Sequence, residues 1–212
     1  MRGLTMTRTG DATTSPEARG QAALDELLKR EAASVQIHLM QTNYVPGLLQ
    51  VEGYATEMIG RIRSLDPGDQ ELADRVRTRM KRAAGLAERL EGEEPPRVSV
   101  LIDEGALRRL VGGRETMRKQ LAHLSDVAKL PTVELGIVPF GFGAYSGLAG
   151  PFEVHRDAQG DDAVYFESTD ESKIVLDEAE AERRRRVVDS MMASVVSGDD
   201  ARALLETISR EL

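Results

Sequence analysis

The sequence predicts an α+β fold, in which N-terminal helices are followed by a small mixed or antiparallel sheet covered by helices on one face, with a C-terminal helix. Three observations predict it. Leu72, Val76, Met80, Ala83, Ala87 and Leu90 recur at steps of three and four residues, the period of an amphipathic helix. Two later stretches, Val98-Val100-Ile102 and Val133-Leu135-Ile137, alternate with the period of a strand. Helical periods come first and strand periods afterwards, an order that favours α+β over a regular α/β alternation.

The elements follow in chain order. Residues 1–17 are rich in Thr, Gly and Arg, have no apolar period, and are expected to be a disordered leader to a single domain over 18–212. A first helix is expected from Ala18 to about Leu39, with Leu24, Leu27, Leu28 and Ala32 on one side. Pro46-Gly47 interrupts the chain, because proline cannot continue a helix and glycine turns freely. A second helix is expected over Val51 to Leu65, a turn at Asp66-Pro67-Gly68-Asp69, and then the third, most periodic helix. Glu71, Asp74, Glu88 and Glu91 interleave with Arg75, Arg79, Arg82 and Arg89 on its polar side, which reads as a solvated face. Pro95-Pro96 separates it from the first strand. Asp103 is placed to cap a short helix reaching Val111. Gly112-Gly113 precedes a helix from Arg114 to Ala128, and Pro131 precedes the second strand. After the glycine-rich stretch Phe140–Pro151, three short strands are expected at 152–156, 163–167 and 173–176. A helix over Glu178–Val196 and a last one over Asp200–Glu211 complete the chain.

Composition narrows the function. The net charge of −8 over 212 residues argues against direct nucleic-acid binding, which needs a basic face. The run Arg183–Arg186 is flanked by Glu180, Glu182 and Asp189 and reads as local ion pairing on a solvated helix, or, in a sharper reading, as a phosphate- or partner-binding patch. No stretch approaches the roughly 18 apolar residues of a membrane span, and no signal-peptide pattern is visible, so a cytoplasmic protein is expected. With no cysteine and His38, His123 and His155 far apart, neither thiolate chemistry nor a metal site is indicated, and no cofactor is expected.

The candidate site residues are polar groups near turns and strand ends. The glycine-rich stretch has no Lys-Ser/Thr after it, so it reads as a lid with Tyr145 at its tip, or as a plain connection, rather than a nucleotide loop. Glu104 and Arg108 could line a site, or form an i,i+4 pair on the short helix. Tyr165 and Glu167 share a strand face, and if that face is inward a carboxylate beside a phenol has the look of an acid–base pair. Asn43, Gln50 and Tyr54 surround the Pro-Gly turn and could face the same space, with Tyr44 beside them. No Ser-His-Asp order or nucleophile elbow is visible.

Several segments together resemble one family. They are Val45-Pro-Gly-Leu-Leu-Gln50 with Tyr54, Ile102-Asp-Glu-Gly-Ala-Leu-Arg-Arg109 with Gly112-Gly113, Met117-Arg-Lys-Gln-Leu121, Val133–Pro139 with Gly143-Ala-Tyr145, and Val164-Tyr-Phe-Glu167. In order and spacing they are similar to the C-terminal effector domain of actinobacterial Xre-type helix-turn-helix regulators, a domain of unknown function with some antitoxin-like members. The resemblance implies transcription regulation through a small-molecule ligand or a small protein partner, with a homodimer possible. The helix-turn-helix that normally precedes this region is not seen in the polar leader, so a stand-alone effector module is expected. The alternative is a cofactor-independent enzyme on a small biosynthetic substrate, recruited from the same scaffold, with Glu167, Tyr165 and Tyr145 as its acid–base groups.

Overall fold

The computed structural model describes residues 16–166 and 173–212. Helix α1 (Pro16–Ala33) ends where the Ser34 hydroxyl donates to the Arg30 carbonyl at 2.5 Å. Strand β1 (Ser34–Gln41) begins there. The expected helix to Leu39 therefore stops six residues early. Its last part, Ser34-Val-Gln-Ile-His-Leu, alternates and carries β-branched residues, a strand signal that the preceding alanines obscured.

Helices α2 (Glu52–Arg63) and α3 (Gln70–Leu90) lead to strand β2 (Arg97–Asp103). The short α4 (Glu104–Arg108) and α5 (Gly113–Val127) lead to β3 (Val133–Val138). Strands β4 (Phe152–Asp157), β5 (Asp162–Phe166) and β6 (Lys173–Val175) form the expected meander. Helix α6 (Glu178–Met192), the two-residue β7 (Val196–Ser197) and α7 (Gly198–Glu211) complete the fold. The strand β7 was not expected; Val195 and Val196 read as more of the preceding helix.

One seven-stranded sheet results, in the order β6-β5-β4-β1-β2-β3-β7. Strands β1, β2 and β3 are parallel neighbours, and the remaining pairings are antiparallel. The fold is α+β with a mixed sheet, as the sequence predicts. Helices cover both faces of this sheet, not one. Ile37, Leu39, Val98, Val100, Ile102, Leu135 and Ile137 pack against α2, α3, α5 and α7. Met40, Leu101, Val138, Phe152, Val154 and Val164 pack against Ala181, Val188, Met191 and Met192 of α6. Strand β1 is central in this sheet and covered on both faces.

Two helices differ from their expected solvated character. On α3, Arg82 turns inward with only 9% of its side chain exposed. On α6, Arg183 and Arg186 make the expected local pairs with Glu180 and Glu182. Arg184, however, lies over the rings of Phe152 and Phe166 at 4.9 and 5.1 Å, and Arg185 pairs with buried Asp162. These two arginines pin α6 to the sheet.

Candidate functional site

The parallel strands β1, β2 and β3 end side by side at Gln41, Asp103 and Val138. Strand β4 starts at this same edge, because Phe152 is antiparallel partner to Met40. Since β1 and β2 stand between β3 and β4, residues 139–151 must cross the carboxyl ends of both, a span of about 14 Å at ordinary strand spacing. The outside of the carboxyl ends is where open sheets with parallel strands place their ligands.

Two acidic side chains pin this crossing segment. The Tyr145 hydroxyl donates to Asp103 Oδ2 at 2.7 Å, while Asp103 Oδ1 accepts from the Gly105 N–H at 2.8 Å, the helix cap expected from the sequence. Glu104 Oε2 accepts from the Phe140 N–H at 3.0 Å, and its other oxygen accepts from Arg108 Nε at 2.7 Å. Arg108 also reaches Glu211 in α7. Burial and the Asp103 carboxylate together push the Tyr145 phenol well above its usual range, so it is held as a neutral donor. Gly147 lies against the Tyr145 ring and Met40, with a Cβ there only 2.9 Å from the Met40 sulfur. Glu104, Arg108 and Tyr145 thus come together, and Asp103 joins them. Asn43 is exposed just beyond β1 at the same edge.

Gln50 and Tyr54 lie in a buried knot behind the Pro-Gly turn. Gln50 Nε2 donates to the Val45 carbonyl at 2.8 Å, and the Tyr54 hydroxyl accepts from the Val45 N–H at 3.1 Å. Gln120 of α5 bridges the residues on either side of Gln50, accepting from the Val51 N–H at 2.9 Å and donating to the Leu49 carbonyl at 2.7 Å. Burial raises the Tyr54 phenol, while its bond to Val45 and the charge of Arg109 act in the other direction.

Tyr165 faces the same side of the sheet as Glu153, its register partner, and Glu153 belongs to a buried polar network under α3. Glu167 lies outside the described residues. Arg82 Nε contacts both oxygens of Glu31, at 2.9 and 3.1 Å, and Arg89 donates to the Glu31 and Ser34 carbonyls. His155 joins Ser34 Oγ through Nδ1 at 3.3 Å and Glu153 Oε2 through Nε2 at 3.2 Å. Burial pushes the Glu153 carboxyl up, but its bond to His155 and the charges of His155, Arg82 and Arg79 outweigh this and hold it below its usual range.

This network has the connectivity of a nucleophile, base and acid, yet its geometry is structural. The Ser34 proton is directed to the Arg30 carbonyl, so both His155 nitrogens face acceptors, and Ser34 and His155 are each only 1% exposed. Glu31, Glu153 and His155 also bring ligand-type atoms within 4.8 Å of one another. Arg82 already spans the Glu31 carboxylate, and Arg79 adds positive charge beside Glu153. A cation would have to displace a guanidinium, so the cluster is better described as an ion-pair network.

The α6 face holds His38, 1% exposed, with Nε2 3.5 Å from Asp189 and Nδ1 without a partner among the described residues. A shallow depression of about 560 Å³ separates α6 from the crossing segment, lined by Ser146, Glu182, Arg186 and Ser190 among others. Another of about 630 Å³ lies at the opposite, amino edge beside Gln36, Arg97 and Arg156.

Sequence reasoning missed Ser34, Glu31, Glu153 and Gln41 as members of polar sites. An interior carboxylate and histidine at positions 153 and 155 of an apolar strand were the available signal. Gln41 lies just beyond the helix expected to end near Leu39, and no local pattern marks it.

Among the described residues, no helix is long and apolar enough to cross a membrane. No curated protein and no solved structure matches the chain. A family model described as a domain of unknown function, DUF5753, matches residues 24–207, from within α1 to within α7, and so covers the whole sheet. The chain belongs to this family.

Proposed function

We propose that the protein is a binding module that takes a small molecule at the carboxyl edge of β1–β3, beneath the segment 139–151. The observation that carries this reading is the double latch on that segment: Tyr145 to Asp103 and the Phe140 N–H to Glu104. A connection that only had to join β3 to β4 has no need of two carboxylates at adjacent positions of the strand end. Such contacts are well suited to a cover that closes over a ligand and exchanges internal bonds for ligand bonds. The regulatory role belongs to the resemblance with the effector domains of helix-turn-helix regulators, and ligand binding here would be its input.

The test is native mass spectrometry of the full chain after exposure to a fractionated metabolite extract. A specific adduct on the wild type, lost in Asp103→Asn, is expected. Absence of any adduct, with no change in amide exchange over 139–151, would count against the reading. A second reading, in which a protein partner docks on the same segment, is favoured by Phe140 and Leu148, 67% and 63% exposed. Their replacement by Ser should abolish partner binding but spare a small-molecule adduct. The enzymatic alternative, with Glu167, Tyr165 and Tyr145 as acid–base groups, has less support: Tyr165 lies on the Glu153 face of the sheet and Tyr145 on the α6 side, where burial and the Asp103 carboxylate keep its phenol neutral.

A further inference from the structure

Three buried glutamines lie in the layer between the sheet and its four-helix side or at its margin, and the protein treats one of them differently. Gln50 has both amide atoms engaged, donating to the Val45 carbonyl and accepting from Arg79 at 3.4 Å. Gln120 likewise accepts from Val51 and donates to Leu49. Gln41 is 1% exposed, and neither its Nε2 nor its Oε1 has a partner among the described residues. Leaving a buried donor or acceptor unmet is costly, because the water it gave up is not replaced. Such an exception in a structure that satisfies the neighbouring amides calls for a physical cause.

Its position supplies one. Gln41 is the last residue of β1 and the register partner of Ile102, so it stands beside Asp103, the acceptor of the Tyr145 latch. By strand alternation its side chain belongs to the face that carries Leu39 and Ile102, while Asp103 belongs to the other face. The two polar groups flank the ends of β1 and β2 from opposite sides.

We propose that Gln41 recognises the ligand of this edge through a paired donor and acceptor, the edge of a neutral amide or lactam. This rests on the reading of the carboxyl edge as the binding site. A carboxamide presents one acceptor and one donor in a single plane, and only a group with the complementary pair satisfies both. A carboxylate satisfies Nε2 but repels Oε1, and it meets Asp103 and Glu104 at the same edge. An ammonium satisfies Oε1 and leaves Nε2 unmet. Gln41 is covered, so a ligand reaches it only when the edge opens. Gly143 and Gly150, with φ of 82° and 124°, bracket Tyr145 and provide backbone that turns where other residues would be strained.

The experiment uses the ¹⁵N-labelled full chain. The Gln41 side-chain NH₂ signals are identified by their loss in Gln41→Met, a variant of similar volume that removes both unmet groups. Acetamide, acetate and methylammonium are then titrated separately. Acetamide is expected to shift the Gln41 NH₂ pair and the Asp103 and Tyr145 amides, at least tenfold more effectively than either ion. Gln41→Met should lose that response and, without any probe, unfold at a higher temperature than the wild type. A lower unfolding temperature for Gln41→Met, together with cross-relaxation from its NH₂ to a long-lived water and no shift with acetamide, would show that a water serves this amide and would overturn the proposal. An equal response to acetate would overturn the amide class while leaving the edge as a binding site. A metabolite adduct retained by Gln41→Met but lost in Asp103→Asn would do the same.

Discussion

The guanidinium of Arg79, on α3, lies across the backbone of Gly47, and a Cβ at position 47 would stand 2.8 Å from its Cζ. Gly47 does not have a positive φ, so space rather than backbone conformation holds glycine there. Arg79 uses this passage to reach Gln50, which in turn holds the Val45 carbonyl. The Pro-Gly-Leu-Leu-Gln motif is therefore a seat for an arginine from another helix. Gly47→Ala should destabilise by about 1 kcal/mol, because the flexible arginine can swing away at the expense of its bond. In an Arg79→Ala background the same substitution should cost almost nothing. Urea denaturation of the four proteins gives the coupling, and additive losses would contradict this contact.

Removing the Tyr145 hydroxyl tests the latch. Tyr145→Phe keeps the ring and its edge contact with Phe142, at 6.1 Å and 89°, and loses only the bond to Asp103. The phenol is partly exposed, so the stability loss should be modest, about 1 kcal/mol. The sharper effect should be local, with amide exchange accelerating over 140–150 while β1 and β2 remain as protected as before. Uniform acceleration across the sheet would mean that Tyr145 supports the fold rather than the cover.

Arg82 and Glu31 give the largest expected single effect. Their side chains are 9% and 10% exposed, and the guanidinium spans both carboxylate oxygens. Arg82→Met strands a buried carboxylate and should cost about 3–5 kcal/mol. Adding Glu31→Leu should recover much of that loss, because the stranded charge disappears. Calorimetric unfolding of the single and double variants checks both statements.

These residues also show what the sequence could and could not reveal. The Asp103 cap, the α5 stripe and the antiparallel meander follow from local chemistry, and each stands where local rules place it. The inward turn of Arg82 does not, because its partner lies 51 residues away on α1 and interleaved acids make the helix face look solvated. Strand β1 alternates as a strand should, but the alanine-rich helix that runs into it without a break masks its start. At the site, Tyr145, Glu104 and Arg108 were legible as polar groups next to strand ends and glycines. Gln41 was not, since its significance lies in the partners it lacks, and missing partners are a property of three-dimensional packing.

The buried histidine under α6 sets the response to mild acid. Burial lowers the affinity of His38 for a proton, and Arg185 acts in the same direction. Asp189 and Asp162 oppose this without reversing it. Burial likewise depresses half-buried His123, against the weaker pull of Asp126. A histidine whose folded pKa lies below its unfolded value near 6.5 binds fewer protons when folded, so stability rises with pH in that interval and falls as the pH drops below about 6.5. Glu153, whose folded pKa lies below 4.5, adds a separate loss as the pH falls from about 4.5 through that folded value. His38→Gln should therefore flatten the stability profile between pH 6.5 and 5 and leave the steeper loss below 4.5 in place. His123→Gln should flatten it less, because that ring keeps more of its water. The measurement is urea denaturation at half-unit pH steps for the three proteins. A wild-type profile that is flat between pH 6.5 and 5, or a His38→Gln profile as steep as the wild type, would show that His38 accepts its proton within the fold. Asp189 would then be a true ion-pair partner rather than a weak neighbour.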